Sequence, residues 1–579
     1  MIIVILILPL LLALGGFYPR LRPLLVSLAP WSALPALVVA LWNPPHSSLD
    51  VSWLFIGIHL DIDGIGRSVI IVTSLLWMLT GISTRELFVS GQTSHRVFIV
   101  YLMMLTGMSG LCLAQDLPTF TLFYALTTFA AYGLMIVEHT VPAHRAGLAY
   151  LILAVVGEMV LLEAILHIIS IAENSNISQI PAVVATASDR HLIIGLLLLG
   201  FGIKIGVFPL HVWIPMAYSA APFAISSFLS GSMLLAGFLG WMRLLPMGMV
   251  NLPEWGIVWM IAGTLTLLYG IGVGLTQTDA KALLAYSTIS QAGFLTLNFG
   301  MGMIMPDRWP RIAPLLMLLP LHHAIAMGAL FLGLGVASKA AGPVWQRRVV
   351  AGGLVVSALA LTGAPSSGGA VSKAIFTISA PSITLWIGPL HWLPELGIIG
   401  MTLLMGRFLS EAWPWRQGKV IHRGERLTKK IWLPWAALII CGGIMMWIMR
   451  STLPLEAERL LWSPMAIWAN LWPIGTGGLL LWGMIRLSHG FPASSVPPGD
   501  LIVGIEWLGH RAKAYWHGKI SGAWQNWRSN LTSHPPLHLD GSEAISILEK
   551  IENRLGQWIT LGAALLFLAS IFFTLLITM

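Results

Sequence analysis

Residues 196–213 read LLLLGFGIKIGVFPLHVW. Lys204 stands inside this apolar run, too far from the nearest loop residue, Arg190, to be an ordinary lysine at a helix end. An ammonium at such a depth costs about 2.5–3.5 kcal/mol on insertion scales. The rest of the chain shows that the depth is that of a bilayer.

Of 579 residues, 56% are apolar and 10% charged, and the mean hydropathy is +0.82; a soluble domain is about one quarter Asp, Glu, Lys and Arg. The fold class expected is therefore an all-α polytopic membrane protein of about 14–16 transmembrane helices, at about 20 apolar residues each. Apolar runs lie near 2–17, 23–42, 65–83, 97–114, 117–137, 146–171, 191–209, 222–246, 255–275, 281–302, 312–337, 349–388 (interrupted), 393–409, 431–449, 464–486 and 557–578. The first lacks a basic n-region and a small-residue cleavage site, so it reads as a retained helix. The net charge of +8, from 32 Lys+Arg against 24 Asp+Glu, reads as cytoplasmic loop bias and not as nucleic-acid affinity. Cys112 and Cys441 sit in apolar runs and form no CxxC. Iron–sulfur and c-type haem sites are thus not expected within this chain, and no cofactor is expected in it. Walker, dinucleotide-binding and HExxH motifs are likewise missing from the sequence, which disfavours ATP hydrolysis and hydride transfer.

Lys and Arg set the expected orientation. Arg20 and Arg22, Arg347 and Arg348, and the group Arg407, Arg416, Lys419, Arg423, Arg426, Lys429 and Lys430 occupy loops of one parity. The loop at 43–64 carries Asp50, Asp61 and Asp63 with no Lys or Arg. The N-terminus is accordingly expected outside the bacterial cytoplasmic (inner) membrane and the polar stretch 487–556 in the cytoplasm. After FPASSVPPGD, that stretch spaces Leu501, Ile505, Leu508, Ala512, Tyr515, Trp516, Ile520, Trp524 and Trp527 at three to four residues, with basic residues between. It reads as a helix lying in the membrane interface or along a neighbouring subunit, or as a solvated linker.

A second lysine, Lys373, follows LTGAPSSGGAVSK, where Gly363, Pro365, Gly368 and Gly369 interrupt a helix at membrane depth. Such a break is tolerated where the freed carbonyls line a cavity or are covered by protein. Desolvation and a nearby carboxylate act oppositely on a lysine. One whose carboxylate can approach and retreat is a proton-loading switch, whereas one in a fixed ion pair is structural. Candidate partners for Lys204 are Glu158 and Glu163, only one of which can face it, since positions five apart lie on different helix faces. His167, His211, His322, His323 and His391 are histidines at membrane depth; a neutral imidazole both donates and accepts, which suits a proton relay as well as a packed hydrogen bond.

Four ordered motifs carry a family resemblance: KIGVFPLHVWIPMAYSAAPFAISSFLSG (204–231), TQTDAKALLAYSTISQAG (276–293), HAIAMGALFLGLG (323–335) and GAPSSGGAVSK (363–373). They resemble the proton-translocating antiporter-like membrane subunits of respiratory complex I, Mrp-type antiporters and energy-converting hydrogenases. The resemblance implies two inverted five-helix units, 117–246 and 255–409, each with one broken helix. Flanking them are N-terminal helices (1–116), further helices (410–486), the cytoplasmic segment (487–556) and a C-terminal helix (557–579). It also implies a proton pathway through Lys204, Lys373 and His323, to which the residues themselves add Glu158, His211 and His322. Four positions depart from the family pattern. Ala125 stands where a glutamate pairs with the first lysine, Leu235 and Met327 where further lysines stand, and Tyr218 where the first broken helix ends in Ala-His.

Two functions follow. One is a proton or sodium translocating subunit of a redox-driven or antiporter complex, NADH/quinone oxidoreductase-like or hydrogenase-like, partnered by other membrane subunits and the lipid bilayer, with no nucleic acid. The other is a non-conducting scaffold subunit of such a complex or of an inorganic-carbon uptake system.

Overall fold

In the computed structural model, residues 2–42, 48–51, 57–89, 94–339, 343–364, 367–379, 392–414, 429–450 and 453–487 are described. His391, the amphipathic segment expected after residue 487 and the span at 557–578 lie outside the described residues. The helices are α1 (Ile2–Gly15), α2 (Arg22–Leu28), α3 (Leu34–Trp42), α4 (Gly64–Val89), α5 (Ser94–Leu113), α6 (Leu117–Met135), α7 (Val141–Ile171), α8 (Ile180–Thr186), α9 (Arg190–Ile205) and α10 (Trp213–Ala220). There follow α11 (Phe223–Leu244), α12 (Pro253–Thr276), α13 (Ala280–Ile304), α14 (Trp309–Ser338), α15 (Val344–Leu361), α16 (Gly368–Ser379), α17 (Leu393–Ala412), α18 (Lys429–Arg450), α19 (Leu455–Trp462) and α20 (Pro464–Leu487). Among the described residues, 11 helical stretches are long and apolar enough to cross a membrane, and the chain is an integral membrane protein.

α13 is not one of the 11, although it has 25 residues. Ser287, Thr288, Ser290, Gln291, Thr296 and Asn298 lower its hydropathy, and all are buried against protein. A helix sheathed by other helices needs no lipid-like surface. α7 and α12 show the contrary pattern: Ile152, Val155, Val156 and Met159 on one, Val258, Ile261, Leu265 and Leu268 on the other, are exposed as lipid would require.

α12 and α13 meet along a seam of glycines. A Cβ on Gly263 would lie 2.3 Å from Leu297 N, one on Gly270 2.6 Å from Ser290 N, and one on Gly293 2.3 Å from Leu267 N. Small residues let two backbones approach to this distance, where dispersion binds helices that gain no hydrophobic energy from leaving lipid.

A short hairpin departs from the helical expectation: β1 (Leu49–Val51) pairs antiparallel with β2 (Ile58–Leu60), Asp50 opposite His59. Asp116 binds it to the bundle, one carboxylate oxygen capping α6 at Thr119 N (2.7 Å) and the other accepting from His59 N (2.8 Å). Arg243 locks the same end. Its guanidinium, 1% exposed, donates to the carbonyls of Leu111, Cys112 and Ala114 and pairs with Asp63 at 2.8 Å. The last carbonyls of α5 are satisfied by a cation, as a helix C-terminus favours.

One residue corrects the loop assignment. Arg407 lies within α17 and is buried, its Nε donating to Gln277 O at 2.6 Å, so it does not count among the loop charges.

Gly263→Ala is expected to force the α12–α13 seam apart and cost about 1–3 kcal/mol. A thermal-shift measurement in detergent tests this: an unchanged melting temperature would show that the seam is not under packing constraint.

Candidate functional site

Two interruptions of transmembrane helices place the two lysines. α9 stops at Gly206, which adopts φ 88° and returns its N–H to Gly202 O. A side chain is excluded there, since its Cβ would meet Ile214 Cδ1 at 2.2 Å. The chain then turns through Leu210–Val212 and resumes as α10. The freed polar groups are taken up by protein: Trp213 Nε1 donates to Ile203 O at 2.9 Å, and Phe208 N to Thr266 Oγ1 at 2.9 Å. At the far end of α10, Lys281 donates to Ser219 O (3.2 Å) and Ala221 O (2.8 Å). Asp279 caps α13 at Ala282 N, so the two motif residues serve different helix ends.

Lys204 sits in the last turn of α9, where the carbonyl ends favour a cation, and is buried. Its Nζ donates to Thr128 Oγ1 at 2.7 Å, Thr127 Oγ1 at 3.3 Å and Tyr124 O at 3.4 Å. It also lies 3.5 Å from the centre of the Tyr124 ring. All these partners belong to α6. Next to Tyr124 stands Ala125, so the turn of helix that lacks the expected carboxylate offers hydroxyls, a carbonyl and a π face instead. Glu158 on α7 is near enough to Lys204 and Thr128 to interact electrostatically with both. Glu158 Oε1 is enclosed without a hydrogen-bond partner among the described residues. Glu163 points elsewhere: His167 is bridged between it (3.3 Å) and Asp189 (2.8 Å) toward the end of α7.

The second break separates α15 from α16. Gln291 Nε2 donates to Leu361 O at 2.8 Å, Ser367 Oγ to Thr362 O at 2.9 Å and Gly369 N to Thr362 O at 3.2 Å. Cβ atoms at Gly368 and Gly369 would stand 2.5 Å from Gln291 Oε1 and Thr362 O, so glycine is required where the backbone folds on itself. Lys373 Nζ makes an ion pair with Glu395 Oε1 at 2.7 Å and donates to Ala469 O at 3.0 Å.

Between the lysines lie α11, α13 and α14. His322 and His323 are both buried, and neither ring nitrogen of His323 has a hydrogen-bond partner among the described residues. The same holds for His211, whose ring rests 5.6 Å from Phe208 and 4.6 Å from Tyr269. Leu235 and Met327 are wholly buried, and Ser287 Oγ donates to Met327 Sδ at 3.6 Å. Tyr218 is buried edge-on to Trp213 and Phe331.

The residue pattern alone does not single out Tyr124, Thr127, Thr128, Glu395 or Arg243. The hydroxyls are signalled only by the pair in TLFYALTT, and Glu395 only by a carboxylate in the first turn of a span, WLPELG. Among the described residues no cluster of three or more His, Cys, Asp or Glu could hold a metal ion.

Lysines beside two broken transmembrane helices, one of them buried, are the features to set against known proteins. Residues 114–388 match the family described as NADH:quinone oxidoreductase/Mrp antiporter, TM. A Na(+)/H(+) antiporter subunit of Alkalihalophilus pseudofirmus is 25% identical over 391 residues, 65% of this chain and 76% of that protein. Hydrogenase-4 component B of Escherichia coli is 26% identical over 52% of this chain and 45% of its own length. An NADH-quinone oxidoreductase subunit of Deinococcus radiodurans is 30% identical over 40% of this chain and 47% of its own. The chain thus spans about half the length of the last two relatives. A chain in the Mrp complex from Dietzia sp. DQ12-45-1b superposes with TM-score 0.69 at 19% identity, covering 92% of this chain and 64% of that one. A chain of the archaeal membrane-bound sulfane sulfur reductase gives 0.60 at 20% identity, covering 81% and 99%. At these identities the likeness is one of fold.

Lys204→Met is expected to leave the melting temperature equal to or above that of the wild type, because it removes an ammonium whose insertion costs about 2.5–3.5 kcal/mol. A marked drop would mean that Lys204 is there for stability.

Proposed function

We propose that the chain is a proton (or sodium) translocating membrane subunit of a multisubunit complex, with Lys204 as the loading group of its first half. The observation that carries this is the Lys204 ammonium, buried yet held by hydroxyls, a carbonyl and an aromatic face. An ammonium locked to one carboxylate is neutralised as a unit; one held by neutral oxygens keeps its charge available for exchange.

Thr128 gives the exchange a route. A hydroxyl has one proton to donate and two lone pairs to accept with. Thr128 accepts from Lys204 and turns its own proton toward either Glu158 or the Tyr124 carbonyl, 3.3 Å away. Glu158, with Oε1 unpartnered, takes the place of the carboxylate missing at Ala125: when it turns toward Lys204 the ammonium is favoured, and when it turns away the lysine releases its proton. His211, His322 and His323 carry the charge onward toward Lys373, since a neutral imidazole both donates and accepts.

In this reading the segments 117–246 and 255–409 are inverted units, the N-terminus lies outside the cytoplasmic membrane and the segment 487–556 lies in the cytoplasm. The partners are other membrane subunits of an antiporter-type, hydrogenase-like or NADH/quinone oxidoreductase-like complex. Any redox cofactors of the coupled reaction sit in those neighbours, and this chain contributes no catalytic redox site.

A second reading is a non-conducting scaffold subunit of such a complex or of an inorganic-carbon uptake system. It is favoured by Leu235 and Met327, which fill with apolar atoms the interior between the two lysines.

Reconstitution of the complex in proteoliposomes decides between them. Lys204→Ala and Glu158→Gln are expected to abolish proton flux, and equal flux in both variants would falsify the loading role. Thr128→Val is expected to reduce flux at least about tenfold, the loss of one hydrogen bond to a charged group, while Thr128→Ser retains it.

A further inference from the structure

Lys373 is held differently from Lys204, by groups that lie beyond the 114–388 region shared with the family. Glu395 opens α17 and Ala469 belongs to α20. The Glu395 side chain is 9% exposed, and only one of its oxygens is used. Oε1 meets Lys373 at 2.7 Å, whereas Oε2 is buried with no partner among the described residues. Buried carboxylate oxygens are nearly always engaged, and one that is not is available to a proton or a cation.

We propose that Glu395 is the proton-accepting group of the second lysine site: a proton enters on Oε2 and another leaves from Lys373 Nζ. The inference rests on the translocation reading above. At rest the pair is carboxylate and ammonium, with net charge zero. An arriving proton forms an O–H bond at Oε2 and leaves a neutral acid beside a half-buried ammonium, an uncompensated positive charge. That state is costly, and it resolves when the N–H bond on the far side breaks, the nitrogen keeping the electron pair and the proton departing. Acid and amine then face one another, again with net charge zero. Transfer of the carboxyl proton to the amine restores the starting pair. One proton has crossed the site, and no bond other than O–H and N–H has changed.

The surroundings suit this exchange. Glu395 stands in the first turn of α17, where the helix dipole holds a carboxylate. The Lys373 side chain is 21% exposed, whereas Oε2 of Glu395 is enclosed. Other charged groups on elements packed against α16 are engaged away from the pair. Arg308 donates to Ile378 O, Arg311 pairs with Glu456 at 3.2 Å and Arg407 donates to Gln277 O. Glu458 and Arg459 are on the short helix α19, His322 and His323 on α14, Arg347 and Arg348 near the start of α15, Lys281 and Tyr286 on α13, and Glu411 at the end of α17.

The test is pH-difference infrared spectroscopy on the full chain within its complex, read in the carboxyl stretching region. A band from a buried protonated carboxyl is expected in the wild type on acidification, absent in Glu395→Gln and stronger at the same pH in Lys373→Met, where no ammonium opposes protonation. In proteoliposomes, flux through Glu395→Gln is expected to fall at least tenfold, with Glu395→Asp between it and the wild type. A band unaltered in both variants overturns the assignment, and so does full flux in Glu395→Gln. If sodium added at constant pH removes the band, Oε2 takes sodium and the proton assignment fails. The spectroscopic result needs no transport; loss of all flux in the wild type would therefore sink the parent reading while the band still decides Glu395.

Discussion

An ammonium inside an apolar bundle must be met by oxygen or by a π face, and much of the architecture around Lys204 answers that demand. α9 ends in the turn that carries it, presenting carbonyl ends that favour a cation. α6 supplies two threonine hydroxyls, a carbonyl and the Tyr124 ring. Each contact is weaker than an ion pair, and together they stabilise the charge without cancelling it.

The breaks that bring the lysines into place are stable because few backbone groups are left over. Trp213, Thr266, Gln291 and Ser367 each satisfy a polar group that a continuous helix would have satisfied itself. In lipid this is a strict requirement, since an orphaned amide has no water to turn to. It explains why a helix as polar as α13 lies in the interior: its Gln291 serves the second break, and its Asn298 donates to Ser372 beside Lys373.

The two lysine sites both lie beside a helix break and differ in chemistry. At the first, the ammonium is held by hydroxyls, a carbonyl and a ring; at the second it touches a carboxylate. A direct pair is neutral at rest, whereas an ammonium held by neutral groups keeps its charge. The spare oxygen of Glu395 and the unpartnered nitrogens of His323 and His211 are the places where such a chain would accept a passing charge.

The class of the fold was legible in the residues alone, for a plain reason. Runs of about 20 apolar residues can only be spans, and the observed ends fall close to those read from hydropathy. The second interruption was legible because GAPSSGG breaks any helix, and Lys204 stood out because charge at that depth is costly. What hydropathy cannot reveal is which face of a helix meets which neighbour. Thr127 and Thr128 were two ordinary polar residues until α6 was laid against α9, and Glu395 a helix-start carboxylate until α16 brought Lys373 to it. Arg407 was a loop charge by position and a buried donor to Gln277 by packing. Local composition determined that the chain spans a membrane and carries buried cations; the contacts between segments far apart in sequence decided what those cations touch, because burial depends on neighbours that no single segment encodes.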